Sequence, residues 1–103
     1  MFTNSFNREV FIMSPEESIN GNQYVIHIFR DSPTEGFLSG FLVYSIYLTD
    51  NNPNHDILIG VGNKAFPNDG TVSDKEQFSE IEKMINKNIR NAIEKFDRII
   101  SVE

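Results

Sequence analysis

Cysteine and tryptophan are both absent from this 103-residue chain, and alanine occurs only at Ala65 and Ala92. Without cysteine there is no disulfide, no thiolate metal ligand and no cysteine nucleophile, and the redox compartment leaves no mark on the sequence. Basic residues are also scarce, with nine Lys and Arg against fifteen Asp and Glu, a formal net charge of −6. Direct binding of nucleic acid calls for a basic stripe, so that function class is set aside. Long apolar runs are missing as well. The most apolar stretch, Phe37 to Leu48, is broken by Ser39, Gly40 and Ser45 and is too short to cross a bilayer as a helix. Met1 to Arg8 lack the basic start and apolar run of a secretory signal, so the expected location is the cytoplasm. The shortage of alanine beside abundant Asn and Ile is the bias that AT-rich coding produces, which fits a bacterial or phage source.

What is present suffices for one packed domain. The hydrophobic fraction is 39%, with nine Phe and three Tyr, at a length that holds one core and not two. Apolar residues over roughly 8 to 62 recur with the period of strands, and the period changes to that of a helix near Ser73. Strands are expected at about 8–13, 23–30, 38–49 and 56–62, and a helix at about 73–101. Between them, Ser14-Pro15-Glu16-Glu17 reads as a single helical turn and Asn20-Gly21-Asn22 as a tight turn. Asp31 to Gly36 and Asp50 to Asn54 read as loops. The helix opens with a capping box, Ser73 with Glu76 three residues on. Its apolar face is Phe78, Ile81, Ile85, Ile89, Ala92, Phe96 and Ile99, widened by Met84, Ile93 and Ile100. The fold class that follows is α+β: a four-stranded antiparallel β-meander, then one long C-terminal α-helix packed on one face of the sheet. A helix of about 40 Å exceeds the width of four strands at about 4.8 Å each, so it lies diagonally on the sheet or overhangs it.

One helix covers one face. Alternation assigns Ile26, Ile28, Leu42, Tyr44, Ile46, Leu48, Ile57, Ile59 and Val61 to the helix side. The other face then shows Val25, His27, Phe29, Phe41, Val43, Ser45, Tyr47 and Leu58, which is too apolar for open water and reads as an interaction surface. A sheet that curls, an N-terminal arm carrying Phe2 and Phe6, a dimer mate, or a ligand or partner would each cover it. His27, Phe29, Phe41, Val43 and Tyr47 are its candidate contact residues.

The acidity is uneven. Residues 1 to 72 carry eight acidic side chains against three basic ones, and the remainder seven against six. A meander gathers Glu16, Glu17, Asp50 and Asp56 at one end of the sheet and Asp31, Glu35 and Asp69 at the other. Such loops steer association with a basic protein.

Catalytic signals are weak. Asp50, Asn52, Asn54 and Asp56 mimic the start of a calcium loop, but His55 stands where Gly belongs and Val61 where Glu belongs. His55 beside Asp56 is a candidate acid–base pair and His27 a mid-strand residue. Gly60 and Gly62 lack the third glycine and following helix of a dinucleotide site, while Gly40 and Gly60 mark bends or close packing. The expectation is a small acidic, non-enzymatic binding protein without metal or cofactor. It would neutralise a basic partner such as a nuclease toxin, through the acidic loop residues Glu16, Glu17, Asp31, Glu35, Asp50 and Asp56. The alternatives are a homodimeric domain binding a small apolar ligand and a structural subunit of a larger assembly.

Overall fold

The computed structural model describes residues 6–13 and 24–101, with the side chains of residues 6 and 7 left aside. Phe2, the Ser14 to Glu17 turn and the Asn20 to Asn22 turn lie outside the described residues. Four strands, β1 (Phe6–Met13), β2 (Tyr24–Pro33), β3 (Phe41–Asp50) and β4 (Ile59–Pro67), form one sheet in the order β1-β2-β3-β4. Every neighbouring pair is antiparallel. A single helix, α1 (Asp74–Ile100), follows and contacts β4 and β3. The α+β meander expected from the change of period is the observed fold.

The register settles which side chains share a face. Phe11 stands opposite Ile28 and Ile28 opposite Ile46, so these three point the same way, toward α1. Tyr24, Ile26, Ile28, Tyr44, Ile46, Leu48 and Val61 are buried beneath Ile81, Ile85, Ala92, Ile93 and Phe96 of the helix. Each fully buried side chain of this size contributes about 1.5–3 kcal/mol by removal from water. Tyr24 and Phe96 meet edge to face at 6.0 Å, and Phe78 is flanked in the same manner by Phe11 at 5.2 Å and Tyr44 at 5.8 Å. The aromatic side chains thus reach from α1 across to β1 and β2, although the helix axis sits over β3 and β4.

The buried stripe of α1 is not the one that strict spacing suggests. Ile99 is 44% exposed, whereas Ile93 and Gln77 are buried. Going from Gln77 and Ile81 toward Ile93 and Ile100, the contact line drifts around the helix, because a straight helix lies on a sheet whose strands twist beneath it. At its start, Ser73 Oγ accepts from the Glu76 N–H at 3.2 Å, with Asp74 and Glu76 in the first turn and Arg98 in the last.

Several boundaries differ from the sequence reading. β2 continues through Asp31 to Pro33, because those residues pair with Arg8, Asn7 and Phe6 of an edge strand that begins earlier than the pattern suggests. Gly40, with φ +85°, belongs to the turn before β3, not to the strand. β4 starts later and runs on to Pro67. Its register shifts against β3 between Ile46 and Tyr47, a bulge at Val61 between Gly60 and Gly62 that puts the strand's alternation out of phase. Asn88 of α1 donates to the Val61 carbonyl there at 2.9 Å. Close packing also falls on a different glycine. Gly60 has open space around it, while a methyl group added at Gly62 would stand 2.6 Å from Met84 Sδ.

Candidate functional site

Two surfaces carry the residues singled out by the sequence, and they meet at His27. The first is the sheet face turned away from α1. His27 stands opposite Tyr47, and Phe29 stands between Val10 and Ser45. The rings form a continuous line, with His27 to Phe29 at 6.3 Å and Phe29 to Tyr47 at 5.8 Å. Arg8 lies over the Phe29 ring at 5.3 Å and grips Asp31 with two bonds, 2.7 Å from Nε and 3.2 Å from Nη2. The Asp31 hydrogen bond, and then its charge, raise the Arg8 guanidinium further above its ordinary value. Phe41 and Val43 extend this face along β3. Sequence reasoning missed that β1 belongs to it. Val10 and Ile12 are 51% and 66% exposed, and their alternation with Phe11 was the available signal.

The second surface is the β3–β4 connection. A depression of about 420 Å³ is lined by His27, Asp50, Asn52, His55, Asp56 and Leu58, among others. Its loop is held by side chains acting as turn closures. Asp50 Oδ1 accepts from the Asn52 N–H at 3.2 Å, and Asn52 Oδ1 accepts from the Asn54 N–H at 2.9 Å. The Asp50/Asn52/Asn54 alternation that imitates a calcium loop is therefore used to shape the turn. Among the described residues no group of three or more His, Asp or Glu side chains is arranged to hold a metal ion.

His55 departs from its expected pairing. Its Nδ1 lies 2.8 Å from Asp50 Oδ2, not on the neighbouring Asp56, and its Nε2 lies 3.4 Å from Asn52 Nδ2. The ring also meets Phe96 of the helix at 6.3 Å. With Nδ1 donating to the carboxylate and Nε2 accepting from the amide, the neutral imidazole satisfies both contacts, and the residue ties the loop to the core. Asp56 is exposed, on the rim.

The acidic loop residues divide accordingly. Asp31 is engaged by Arg8 and Asp50 by His55. Glu35 and Asp56 are exposed and have no cationic partner among the described residues, and they occupy opposite ends of the sheet. Glu16 and Glu17 lie outside the described residues. Asp69, at the same end of the sheet as Glu35, receives bonds from the Thr71 hydroxyl at 2.6 Å and the Thr71 N–H at 3.0 Å, which hold its carboxyl below the usual range.

A third polar group was invisible to pattern reading. Arg30 donates to Glu9 at 2.6 Å and to the Tyr44 hydroxyl at 3.1 Å, Tyr44 donates to Gln77 Oε1 at 2.7 Å, and Gln77 Nε2 donates to the Val72 carbonyl at 2.9 Å. This chain runs from the edge strand through the core to the helix start. Burial opposes the charge of Arg30, and the bonds to Tyr44 and Glu9 outweigh it, so the guanidinium is raised. Its atoms are turned inward, which marks it as structural.

No described helix is long and apolar enough to cross a membrane. Comparison of the chain with protein-family models, with curated proteins and with solved structures gave no match.

Proposed function

We propose that this chain is a non-enzymatic binding protein that occupies a basic protein partner, in the manner of a toxin-immunity or inhibitor protein. The observation that carries the reading is the depression at the β3–β4 end. It is open, it combines the exposed Asp56 and the partly engaged Asp50 with the apolar Leu58 and the His27 edge, and it belongs to a chain of net charge −6. A carboxylate has about four lone-pair sites, so Asp50 keeps acceptor capacity for a Lys or Arg side chain beyond its bonds to His55 and Asn52. Glu35 at the far end, and Glu16 and Glu17 in the β1–β2 connection, add to the field that steers a cationic partner. His55 serves the loop in this reading and is not a catalyst. A nuclease toxin is the partner class that this electrostatics suits, because a basic nucleic-acid groove is complementary to an acidic rim.

The alternative of a small apolar ligand gains no support from the depression, which is open and lined largely by Asp, Asn and His, where such ligands favour enclosed apolar pockets. The test is capture from a lysate of the source cell at low and moderate salt, followed by association kinetics on the protein retained. A single basic protein, with an association rate that falls as salt rises, is expected. Asp56→Lys should slow association about tenfold or more. Kinetics indifferent to both salt and this substitution would remove the reading.

A further inference from the structure

We propose that the sheet face turned away from α1 is a homodimer interface, on which a second copy of this chain seats face to face. The argument is independent of the acidic depression and begins with charge. Arg8 and Asp31 are the only charged side chains that the strands present on this face among the described residues, and they neutralise each other in a two-bond pair. Two copies of net charge −6 repel each other, so a contact between them favours a surface that brings no net charge of its own, and this face brings none among the described residues.

Area points the same way. Four strands at about 4.8 Å spacing, and eight paired positions along each ladder at about 3.4 Å, give a face of roughly 500 Å². The Val25–Thr49 pair at one end is already buried, so two such faces total less than about 1,000 Å² in plane, and the relief of side chains such as Val10 and Ile12, 51% and 66% exposed, brings the sum to the size a specific interface needs. Shape supplies the third element. Val10, Phe29 and Tyr47 form an apolar row across β1 to β3, the ridge of this face. Beside it, at the β4 bulge, lies a hollow of about 360 Å³ bordered by Ser45, Gly60 and Asn63. An isologous contact needs a feature and its complement on the same surface, and a two-fold axis would set each ridge toward the other copy's hollow. Two sheets packed in this way lie about 10 Å apart with strands within about 30° of each other.

Sedimentation or light scattering of the full chain over a range of concentrations tests this. The expected species has twice the 11.8 kDa chain mass, and its dissociation constant holds or falls as salt rises, because salt screens the repulsion between two copies of charge −6 while the neutral face has no ionic attraction to lose. Val10→Lys places a charge in the ridge and Gly60→Gln fills the hollow. Both positions are open in the single chain, so the fold should persist by circular dichroism. Each substitution is expected to weaken self-association by roughly 100-fold or more, while Lys87→Glu on the exposed side of α1 leaves it unchanged. A monomer at all concentrations, a dimer that dissociates with salt, a dimer that survives both face substitutions, or one that is lost on Lys87→Glu would each overturn the proposal. The basic-partner reading is judged separately, by its salt-dependent association.

Discussion

Tyr44 is the residue on which core and polar network coincide. Its ring is fully buried between Phe66 and Phe78, and its hydroxyl both accepts from Arg30 and donates to the buried Gln77. Tyr44→Phe keeps the ring and strands the Gln77 carbonyl oxygen, at a cost of about 1–3 kcal/mol for a buried unsatisfied acceptor. Urea denaturation should show that loss, and Tyr44→Phe combined with Gln77→Leu should recover part of it, because both partners are then apolar; a fully additive double substitution would contradict the coupling. Glycine gives a second contrast at this scale. Gly62→Ala places a methyl 2.6 Å from Met84 Sδ, so the Met84 side chain must shift, whereas Gly60→Ala meets open space; the Gly62 variant should have the lower denaturation midpoint of the two. Equal midpoints would mean that Met84 moves aside without loss of packing.

Elements are joined here by side chains more than by loops. β4 carries a bulge, Lys64 and a terminal Pro67, devices that discourage further strand pairing at its free edge. The bulge leaves the Val61 carbonyl to be met from α1 by Asn88. Asn88→Ala should therefore cost about 1–3 kcal/mol, more than an ordinary helix-surface substitution, and should speed hydrogen exchange in β4 before β2. At the other end of the same contact, Ser73→Ala removes the acceptor for the Glu76 N–H and should lower stability by about 1 kcal/mol. Thermal unfolding of both variants separates the two claims, since a change near zero at Asn88 would show that the carbonyl finds another donor.

For the whole molecule, most of the carboxylates that hold the fold differ from those the proposed partner would meet, with Asp50 serving both in that reading. Glu9 and Asp31 are tied to arginines, and Asp50 to His55, while Glu35 and Asp56 project from loops without a cationic partner among the described residues. Reversing Glu35 and Asp56 together to Lys should leave the denaturation midpoint close to that of the parent, since surface changes of this kind stay within about 0.5 kcal/mol. The same variant should lose association rate with a basic partner. A large loss of stability would mean that these carboxylates belong to the fold, and the acidic ends would cease to be candidates for recognition.

Periodicity alone determined the α+β class, the number of strands, their antiparallel order and the helix start at Ser73, because the period of two and the spacing of three and four are local properties of the chain. It also separated the two sheet faces, placing Ile26, Ile28, Tyr44 and Ile46 beneath the helix and His27, Phe29 and Tyr47 opposite. Register was beyond its reach. It could not see that Arg8 faces Asp31 or that a bulge carries β4 past Gly62, since each depends on where one strand slides against another. Partners across long separations were hidden for the same reason. His55 bonds Asp50 rather than its neighbour Asp56, Gln77 is drawn into the core by Tyr44, and Asn88 answers a carbonyl 27 residues away. A side chain's pattern states which way it points, and only the packed chain decides what it meets there.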